Sequence, residues 1–266
     1  MTDLSQRSPR GGREKRREDL CWGRNPVISL LEGDPTRCMK VVVSKTMQRG
    51  ALSKFTGLCK ASGIPLSMAE PKAIEAMAEG VNHQGVVAVI APSTLIDIGS
   101  AVGLLPKPPL SALAVLLDHV QDPHNLGAMI RSAEAAAASF VAFPLRRSSL
   151  PTGVVSKTSA GASLRLPLSS TGNVAEAVRE LKENGLWAVG LDAGAKKSIY
   201  ADPLPKRVLL VVGGEGKGLG RTTAGACDEI LGIPTQGVLG SLNASVALAL
   251  AMFEWARINR MDTNES

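Results

Sequence analysis

Five short apolar segments in the second half of this 266-residue chain constrain its fold most strongly. Each has four to six residues, a length that suits a β-strand buried on both faces. They are residues 112–117, 140–143, 186–191, 208–212 and 230–233. Helical patterns lie between them, such as the one that starts at the N-cap Asn173 and ends at Gly185. The alternation predicts an α/β domain with a mostly parallel sheet and helices on both faces.

The first half of the chain predicts a second, smaller α/β domain. Strands are expected at 39–43, 64–66 and 86–90, and helices at 50–61 and 74–78, the second of which is closed by Gly80. We therefore predict a tail at 1–21, a small domain at 22–92, a proline-rich linker at 93–109 and the larger domain at 110–260.

The tail carries about half of the net charge of +6. Because it contains little apolar surface to bury, we expect it to be disordered. It either binds phosphate backbones or is a solvated tail that aids solubility, and its charge is compatible with both interpretations.

Composition excludes several classes of protein. No run approaches the roughly 18 apolar residues of a membrane span, and the N-terminus is charged where a signal peptide would be apolar. The four cysteines form no C-x-x-C pair, so neither a zinc site nor a disulfide framework is indicated. We predict a cytoplasmic protein without a membrane partner or a metal. Aromatic residues make up only 3%, which argues against an aromatic platform that stacks RNA bases.

A loop with five glycines follows the fourth apolar segment, at residues 213–220. Such a loop lets the backbone approach a ligand closely, although a plain structural turn would also need glycine. A P-loop is excluded because Lys217 is followed by Gly218 and not by Ser or Thr. The spacing of the glycines does not fit the dinucleotide-binding fingerprint either.

Polar segments follow three of the predicted strands, where ligands bind in open α/β sheets. Residues 125–133 read N-x-G-x-x-x-R-x-A, residues 213–218 read G-x-E-x-x-G, and Ile233-Pro234 is followed by S-L-N-x-S-x-A at 241–247. Together these motifs resemble those of the SpoU/TrmH family of RNA ribose methyltransferases. Residues 157–162 are similar to a further family segment, and the first domain, including its ending at 83–87, resembles the family's substrate-binding domain.

The resemblance implies a trefoil-knotted catalytic domain that binds S-adenosylmethionine through main-chain groups of the last two motifs. It assigns cofactor contacts to Gly213, Ile233 and Leu242, with Gly214 and Gly237 as supporting loop positions. The knot follows from the resemblance alone, since the apolar pattern contains no sign of it.

The resemblance also implies five catalytic positions: Asn125, Arg131, Glu215, Ser241 and Asn243. A guanidinium stays protonated, so our hypothesis is that Arg131 clamps a phosphate and stabilises the developing alkoxide while Asn125 and Asn243 orient it. On helix position alone, Arg131 could equally be a solvated or salt-bridged arginine.

Structural roles stay open for the other catalytic positions. Asn125 could be the N-cap of a helix expected at 126–139, and Ser241 and Asn243 could cap one expected at 244–257. Glu215 either accepts a hydrogen bond from the 2′-hydroxyl or holds the motif loops in register.

Other polar side chains near the motifs have two interpretations each. Arg146, Arg147, Lys157 and Arg165 either line an RNA path or form a solvated basic face. His119 and His124 flank the first motif, where a structural role is more common than a catalytic one, and they lack metal-ligand spacing.

The final helix carries an apolar stripe at Val246, Ala249, Leu250 and Phe253. This stripe packs on the helix's own sheet or on a partner subunit. Because members of the family are dimers, the resemblance implies a homodimer.

The predicted activity is S-adenosylmethionine-dependent 2′-O-methylation of a ribose in RNA, with a guanosine of large-subunit ribosomal RNA as the expected target. A tRNA ribose methyltransferase and a catalytically silent RNA-binding assembly factor are the alternatives. A nicotinamide-nucleotide enzyme is disfavoured because no glycine fingerprint follows the first strand of either domain.

Overall fold

The structure is a computed structural model that describes residues 19–78, 81–91, 95–216, 218–238 and 240–259. It contains two α/β units, each built on its own sheet. Most of the predicted basic tail lies outside the described residues, and so does Gly80, the predicted end of a helix.

The N-terminal unit has a four-stranded sheet in the order β1-β4-β2-β3. Its strands are β1 (Asp19–Trp22), β2 (Cys38–Ser44), β3 (Leu66–Ala69) and β4 (Val86–Ile90). Its helices are α1 (Arg24–Gly33), α2 (Arg49–Ala61) and α3 (Pro71–Ala78), with a short 3-10 turn at Pro35–Arg37.

Helix α3 begins at Pro71, three residues before the expected start, and two strands of this unit also differ from the sequence-based prediction. Strand β1 pairs antiparallel with β4 and includes Cys21, a fully buried residue that the prediction placed in the tail. Strand β3 begins at Leu66, whereas a strand was expected at 64–66. Pro65 has no N–H to donate to a sheet, so regular pairing with β2 starts at the next residue.

The C-terminal unit has a seven-stranded sheet in the order β7-β6-β5-β10-β8-β11-β9. Its strands are β5 (Ala112–Asp118), β6 (Val141–Pro144), β7 (Leu168–Thr171), β8 (Trp187–Leu191), β9 (Lys197–Ser198), β10 (Arg207–Gly213) and β11 (Glu229–Gly232). Its helices are α4 (Ile98–Val102), α5 (Pro123–Ala135), α6 (Gly153–Thr158), α7 (Val174–Glu183), α8 (Arg221–Ala226) and α9 (Ala244–Asn259), and Ala162–Leu164 is a 3-10 turn.

The segment predicted as a linker takes part in the C-terminal unit. Ile96 forms a parallel bridge with Ser169, and α4 buries Ile98 and Ala101 against the sheet. Asp97 caps this helix by accepting a hydrogen bond from the Ser100 N–H. Residues 95–102 therefore belong to the C-terminal unit.

The order of the strands in the seven-stranded sheet indicates where a ligand would bind. Each neighbouring pair in the seven-stranded sheet is parallel, as the apolar segments predicted. Strand β10 lies between β5 and β8, which both precede it in the chain. The sheet order reverses beside β5 and β10, and ligands in open α/β sheets bind beyond the carboxyl ends of strands at such a point. The trefoil knot stays a prediction, since strand order alone does not define it.

Apolar residues cover both faces of this sheet. All of β5 is buried, and Trp255 of α9 is fully buried against one face of the sheet. Phe140 lies in the core on the opposite face, together with apolar residues of α7. The two-sided burial explains why the strands are almost continuously apolar.

The two units contact each other through α6 and the turn that follows it. Gly153 of α6 packs so closely on Trp22 and the Leu20 carbonyl that a Cβ would overlap them. The Ser156 hydroxyl lies 3.5 Å from the sulfur of Cys21, and Leu164 joins the core of the N-terminal unit.

The cysteines are free thiols, and three of them lie in the core of the N-terminal unit. Burial raises the pKa of Cys21 to about 11 and that of Cys38 to about 12. Among the described residues no helix has the length and apolar character needed to cross a membrane.

Close packing of α5 on α6 gives a stability prediction. A Cβ at Gly127 would overlap the side chain of Thr158, so Gly127→Ala is expected to lower the free energy of unfolding by about 1–3 kcal/mol. Gly57, in the exposed face of α2, has open space around it, and Gly57→Ala should raise stability by about 0.5–1 kcal/mol. Thermal unfolding of the two variants measures both effects; a neutral Gly127→Ala would contradict the helix packing.

Candidate active site

Three side chains from three separate segments of the chain meet in one hydrogen-bonded network. They are Asn125 in the first turn of α5, Glu215 in the glycine loop after β10, and Asn243 directly before α9. Both asparagine side chains donate to Oε1 of Glu215, Asn243 from 3.0 Å. The Asn243 amide also lies 3.1 Å from the Asn125 side-chain oxygen. The network therefore joins the three motifs at one point.

Capping explains how α5 and α9 orient these asparagines. Asp122 is the N-cap of α5, with its side chain accepting from the His124 N–H at 3.0 Å, so the hypothesis that Asn125 caps this helix is wrong. The helix covers 123–135 and so begins and ends before the expected 126–139. Asn125 is buried and faces the network instead.

Asn243 caps a helix, as one interpretation of the sequence predicted, and also takes part in the network. Its side-chain oxygen accepts from the Ser245 N–H at 2.8 Å, which caps α9, while its amide belongs to the network. Ser241 makes no capping bond among the described residues and is exposed. Oε1 of Glu215 accepts hydrogen bonds from residues of two other motifs, a contact expected of a residue that holds the loops in register.

The glycine loop leaves no room for a side chain at Gly213 or Gly214. A Cβ at Gly213 would overlap the backbone of Gly218, and a Cβ at Gly214 would lie 2.5 Å from the carbonyl oxygen of His119. Gly214 donates to the Asp118 carbonyl at 3.0 Å, which ties the loop to the end of β5. These glycines are therefore needed for the turn itself, and the turn holds Glu215 at the network.

Two clefts flank this loop. The glycine-loop cleft has a volume of about 420 Å³ and is lined by Asp192, Gly213, Gly214, Glu215, Ile233, Ser241, Leu242 and Asn243, among others. The α5 cleft, of about 530 Å³, is lined by Asp118, His119, Asp122, Asn125, Arg147, Gly214 and Glu215, among others. Because Gly214 and Glu215 line both, the network stands between the two clefts.

The glycine-loop cleft contains four of the five predicted cofactor positions, and Gly237 is not among its lining residues. Asp192, which the sequence reasoning missed, lies in this cleft directly after β8. Its carboxylate accepts from the Gly194 N–H at 2.8 Å. A polar residue at the end of a predicted strand was the signal that could have identified it.

Arg131 is not brought to the network within one chain. It is exposed on α5 and makes no hydrogen bond or ion pair with the residues that the structure describes. Six residues separate it from Asn125, a rotation of about 240° around an α-helix, so the two side chains leave different faces. Neither cleft includes it.

The predicted basic residues have different surroundings. Arg147 lines the α5 cleft, and Arg146 beside it is exposed. Lys157 donates to the Asn82 carbonyl at 3.1 Å, and Arg165 pairs with Glu134 at 2.9 Å. Lys157 and Arg165 thus each form a polar contact with another residue of the protein.

The two histidines near the first motif also differ. His119 lines the α5 cleft and contacts Asp118, whereas His124 is exposed on α5 and outside both clefts. Across the described ranges, no three His, Cys, Asp or Glu side chains are grouped as a metal site would need.

The geometry is that of an α/β protein with two clefts beyond the carboxyl ends of a parallel sheet, and similarity to known proteins specifies the family. Residues 112–253 match the model of the SpoU rRNA Methylase family, and residues 20–95 match that of the RNA 2′-O ribose methyltransferase substrate-binding domain. The chain belongs to the SpoU rRNA methylase family of RNA 2′-O-methyltransferases.

Similar proteins cover almost the whole chain. It is 37% identical over 88% of its length to a protein from Xanthomonas campestris named 23S rRNA (guanosine-2′-O-)-methyltransferase RlmB, covering 94% of that protein. For the RlmB of Vibrio vulnificus, the identity is 35%, with 90% of this chain and 96% of that protein covered.

Solved structures show the same fold. AviRb, a SpoU methyltransferase from Streptomyces viridochromogenes, superposes with a TM-score of 0.74 at 21% identity, covering 90% of this chain and 89% of AviRb. An AdoMet-bound rRNA methyltransferase from Sinorhizobium meliloti gives a TM-score of 0.73 at 24% identity, covering 92% and 89% of the two chains.

The network predicts a specific effect on stability. In Glu215→Ala the buried amide of Asn125 loses its acceptor, so we expect the free energy of unfolding to fall by about 1–3 kcal/mol. Glu215→Gln keeps one acceptor oxygen and should lose less. Urea unfolding measures both, with Glu183→Ala on the exposed face of α7 as the control, expected within about 0.5 kcal/mol of the parent. Equal stability of the two Glu215 variants would contradict the network.

Proposed function

We propose that this enzyme transfers a methyl group from S-adenosylmethionine to the 2′-hydroxyl of a guanosine in 23S ribosomal RNA. The observation that carries the proposal is the network of Asn125, Glu215 and Asn243, which joins the three family motifs between two clefts. The names of the relatives support the target.

The glycine-loop cleft fits the methyl donor. Its volume of about 420 Å³ is within the range of small-molecule sites, and Leu191, Ile233 and Leu242 supply apolar walls for an adenine ring. The Asp192 carboxylate can accept hydrogen bonds from ribose hydroxyls. A Cβ at Gly216 would meet no atom within 4 Å, so the backbone there is accessible to a ligand. When bound, the donor supplies a methyl group on a positively charged sulfur.

The protein's part in this reaction is mainly positioning. Methyl transfer requires the ribose oxygen and the methyl carbon in line, and rigid groups that hold this geometry remove most of the entropic cost. The network fixes the loop between the clefts, so a ribose in the α5 cleft would lie next to a donor in the glycine-loop cleft. Arg147, which lines the α5 cleft, supplies a positive charge for an RNA phosphate.

Arg131 remains part of the proposal as an RNA contact. Its guanidinium is exposed and has no partner among the described residues, which leaves its donors available for a phosphate. We assign it to the phosphate beside the target ribose.

We also propose a homodimer that acts in the cytoplasm. Helix α9 packs on its own sheet through Leu248, Ala251, Met252 and Trp255. The apolar stripe of the sequence prediction, by contrast, leaves Val246, Leu250 and Phe253 at 40–47% exposure. Large apolar side chains at this helical spacing, next to the half-exposed Leu242 of the glycine-loop cleft, suit a second copy of the chain.

The activity is tested with labelled S-adenosylmethionine and purified, unmodified 23S ribosomal RNA. We expect one ribose-methylated guanosine, detected as 2′-O-methylguanosine after nuclease digestion. Methylation of tRNA in place of ribosomal RNA would favour the tRNA alternative, and the absence of transfer to either RNA would favour the silent assembly factor.

The role of Arg131 predicts separate effects on transfer and on donor binding. Arg131→Ala should reduce methyl transfer about 100-fold or more, because a charged contact to the reacting nucleotide is lost. Calorimetry should show unchanged affinity for S-adenosylhomocysteine, since Arg131 lies outside the glycine-loop cleft. Arg179→Ala, on the exposed face of α7, is the matched control. Weaker binding of S-adenosylhomocysteine by Arg131→Ala would contradict this role.

The dimer is tested with a charge in the exposed stripe. Leu250→Glu should give a monomer in analytical ultracentrifugation, because the carboxylate would be buried unpaired in the interface. Leu104→Glu changes a similarly exposed leucine outside α9 and should leave the dimer intact. A parent protein that sediments as a monomer would contradict the dimer.

A further inference from the structure

His119 is held in an unusual backbone conformation at the edge of the α5 cleft. Its φ of 60° lies in the left-handed region, which residues with a Cβ seldom adopt. Arg147, which lines the same cleft, has a φ of 57°. Such conformations cost free energy and occur frequently at functional sites. Both residues line the α5 cleft, so these two strained conformations lie where a ligand would bind.

The imidazole of His119 is oriented by a buried carboxylate. Nδ1 of His119 lies 2.5 Å from Oδ1 of Asp118, a residue that is only 4% exposed. The other oxygen of Asp118 accepts from the Gly220 N–H at 2.9 Å, so the carboxylate is fixed on both sides. A carboxylate at Nδ1 selects the tautomer with the proton on that nitrogen, which leaves the lone pair on Nε2. Nε2 has no hydrogen-bond partner among the described residues, and the side chain is 47% exposed.

His119 is also next to the network. A Cβ on Gly214 would lie 2.5 Å from the His119 carbonyl oxygen, and Gly214 precedes Glu215 in the loop that both clefts share. His119 itself lines the cleft assigned to the target ribose.

The carboxylates that line this cleft each accept a hydrogen bond from the protein through at least one oxygen. Asp122 caps α5, and the two oxygens of Asp118 form hydrogen bonds with His119 and Gly220. Oε1 of Glu215 accepts from both asparagines. Arginine does not accept a proton at any ordinary pH. His119 is the group in the described part of the α5 cleft that combines an oriented ring with an unpaired nitrogen.

We propose that His119 is the general base of the methyl transfer, oriented by Asp118. The proposal rests on the function proposed above. The ribose 2′-oxygen forms a bond to the methyl carbon as the carbon–sulfur bond breaks, and the electron pair of that bond goes to sulfur. The proton of the 2′-hydroxyl passes to Nε2 of His119, which later releases it to water. Positioned general bases typically contribute about 100-fold to 10,000-fold in rate.

Two substitutions remove the base without straining the backbone. His119→Gly accepts a φ of 60° freely, and Asn tolerates it better than most residues, so His119→Asn is a second variant. We expect kcat for methyl transfer to fall about 100-fold or more in both, with KM for RNA and affinity for S-adenosylhomocysteine unchanged. Added imidazole should restore part of the rate of His119→Gly. His124→Ala changes a histidine outside both clefts and should keep the parent rate.

The pH profile supplies a second readout. A base works in its unprotonated form, so kcat of the parent should rise with pH along an acidic limb that is absent in both His119 variants. The other charged groups lining this cleft are Asp118, Asp122, Arg147 and Glu215. Both His119 variants keep these four groups, so loss of the limb in the variants assigns it to His119.

Nitrogen NMR of the enzyme without ligands tests the orientation independently of activity. The neutral His119 ring, assigned by its absence from the His119→Gly spectrum, should carry its proton on Nδ1. A proton on Nε2 would overturn the proposal. So would full activity of both variants, or a loss confined to KM, while the parent enzyme methylates RNA. If the parent transfers no methyl group to a ribose, the proposed function itself is wrong.

Discussion

The site depends on one interaction: a single carboxylate oxygen of Glu215 accepts hydrogen bonds from the side-chain amides of two asparagines. The network joins segments that are far apart in sequence, those of Asn125, Glu215 and Asn243. Each segment follows a strand of the seven-stranded sheet or lies at the start of a helix in the same unit. A Cβ at Gly213 or Gly214 would overlap neighbouring backbone, so the chain before Glu215 follows one tight path, and the hydrogen bonds of Glu215 join the loop to α5 and to the residue before α9. The position of the loop matters for both clefts, because Gly214 and Glu215 line each of them.

Much of the fold could be predicted because burial on both faces leaves a simple pattern. Each of the five apolar segments corresponds to a strand of the seven-stranded sheet. Strands β7 and β9 lacked that signal. They lie at the two edges of the sheet, and with sequences LSST and KS they have too few apolar residues to form a run. The order of the strands, with β10 between β5 and β8, depends on long-range pairing that local patterns do not encode.

The motifs identified the network and most of the glycine-loop cleft, but local patterns left their geometry open. Asn125 was compatible with a helix cap until Asp122 was seen in that position. The stripe of α9 was compatible with its own sheet until Trp255 and its neighbours were seen there, which left Phe253 exposed. Asp192 and the pairing of His119 with Asp118 depend on tertiary distances and on a positive φ, and no spacing in the sequence encodes these.

We proposed that the methyl donor binds in the glycine-loop cleft and the target ribose in the α5 cleft. A crystal structure of the enzyme with S-adenosylhomocysteine tests this assignment most directly. We expect the adenosine in the glycine-loop cleft, against Ile233 and Leu242, with its sulfur directed towards Glu215 and the α5 cleft. Density for the ligand in the α5 cleft, or a sulfur directed away from Glu215, would contradict this arrangement.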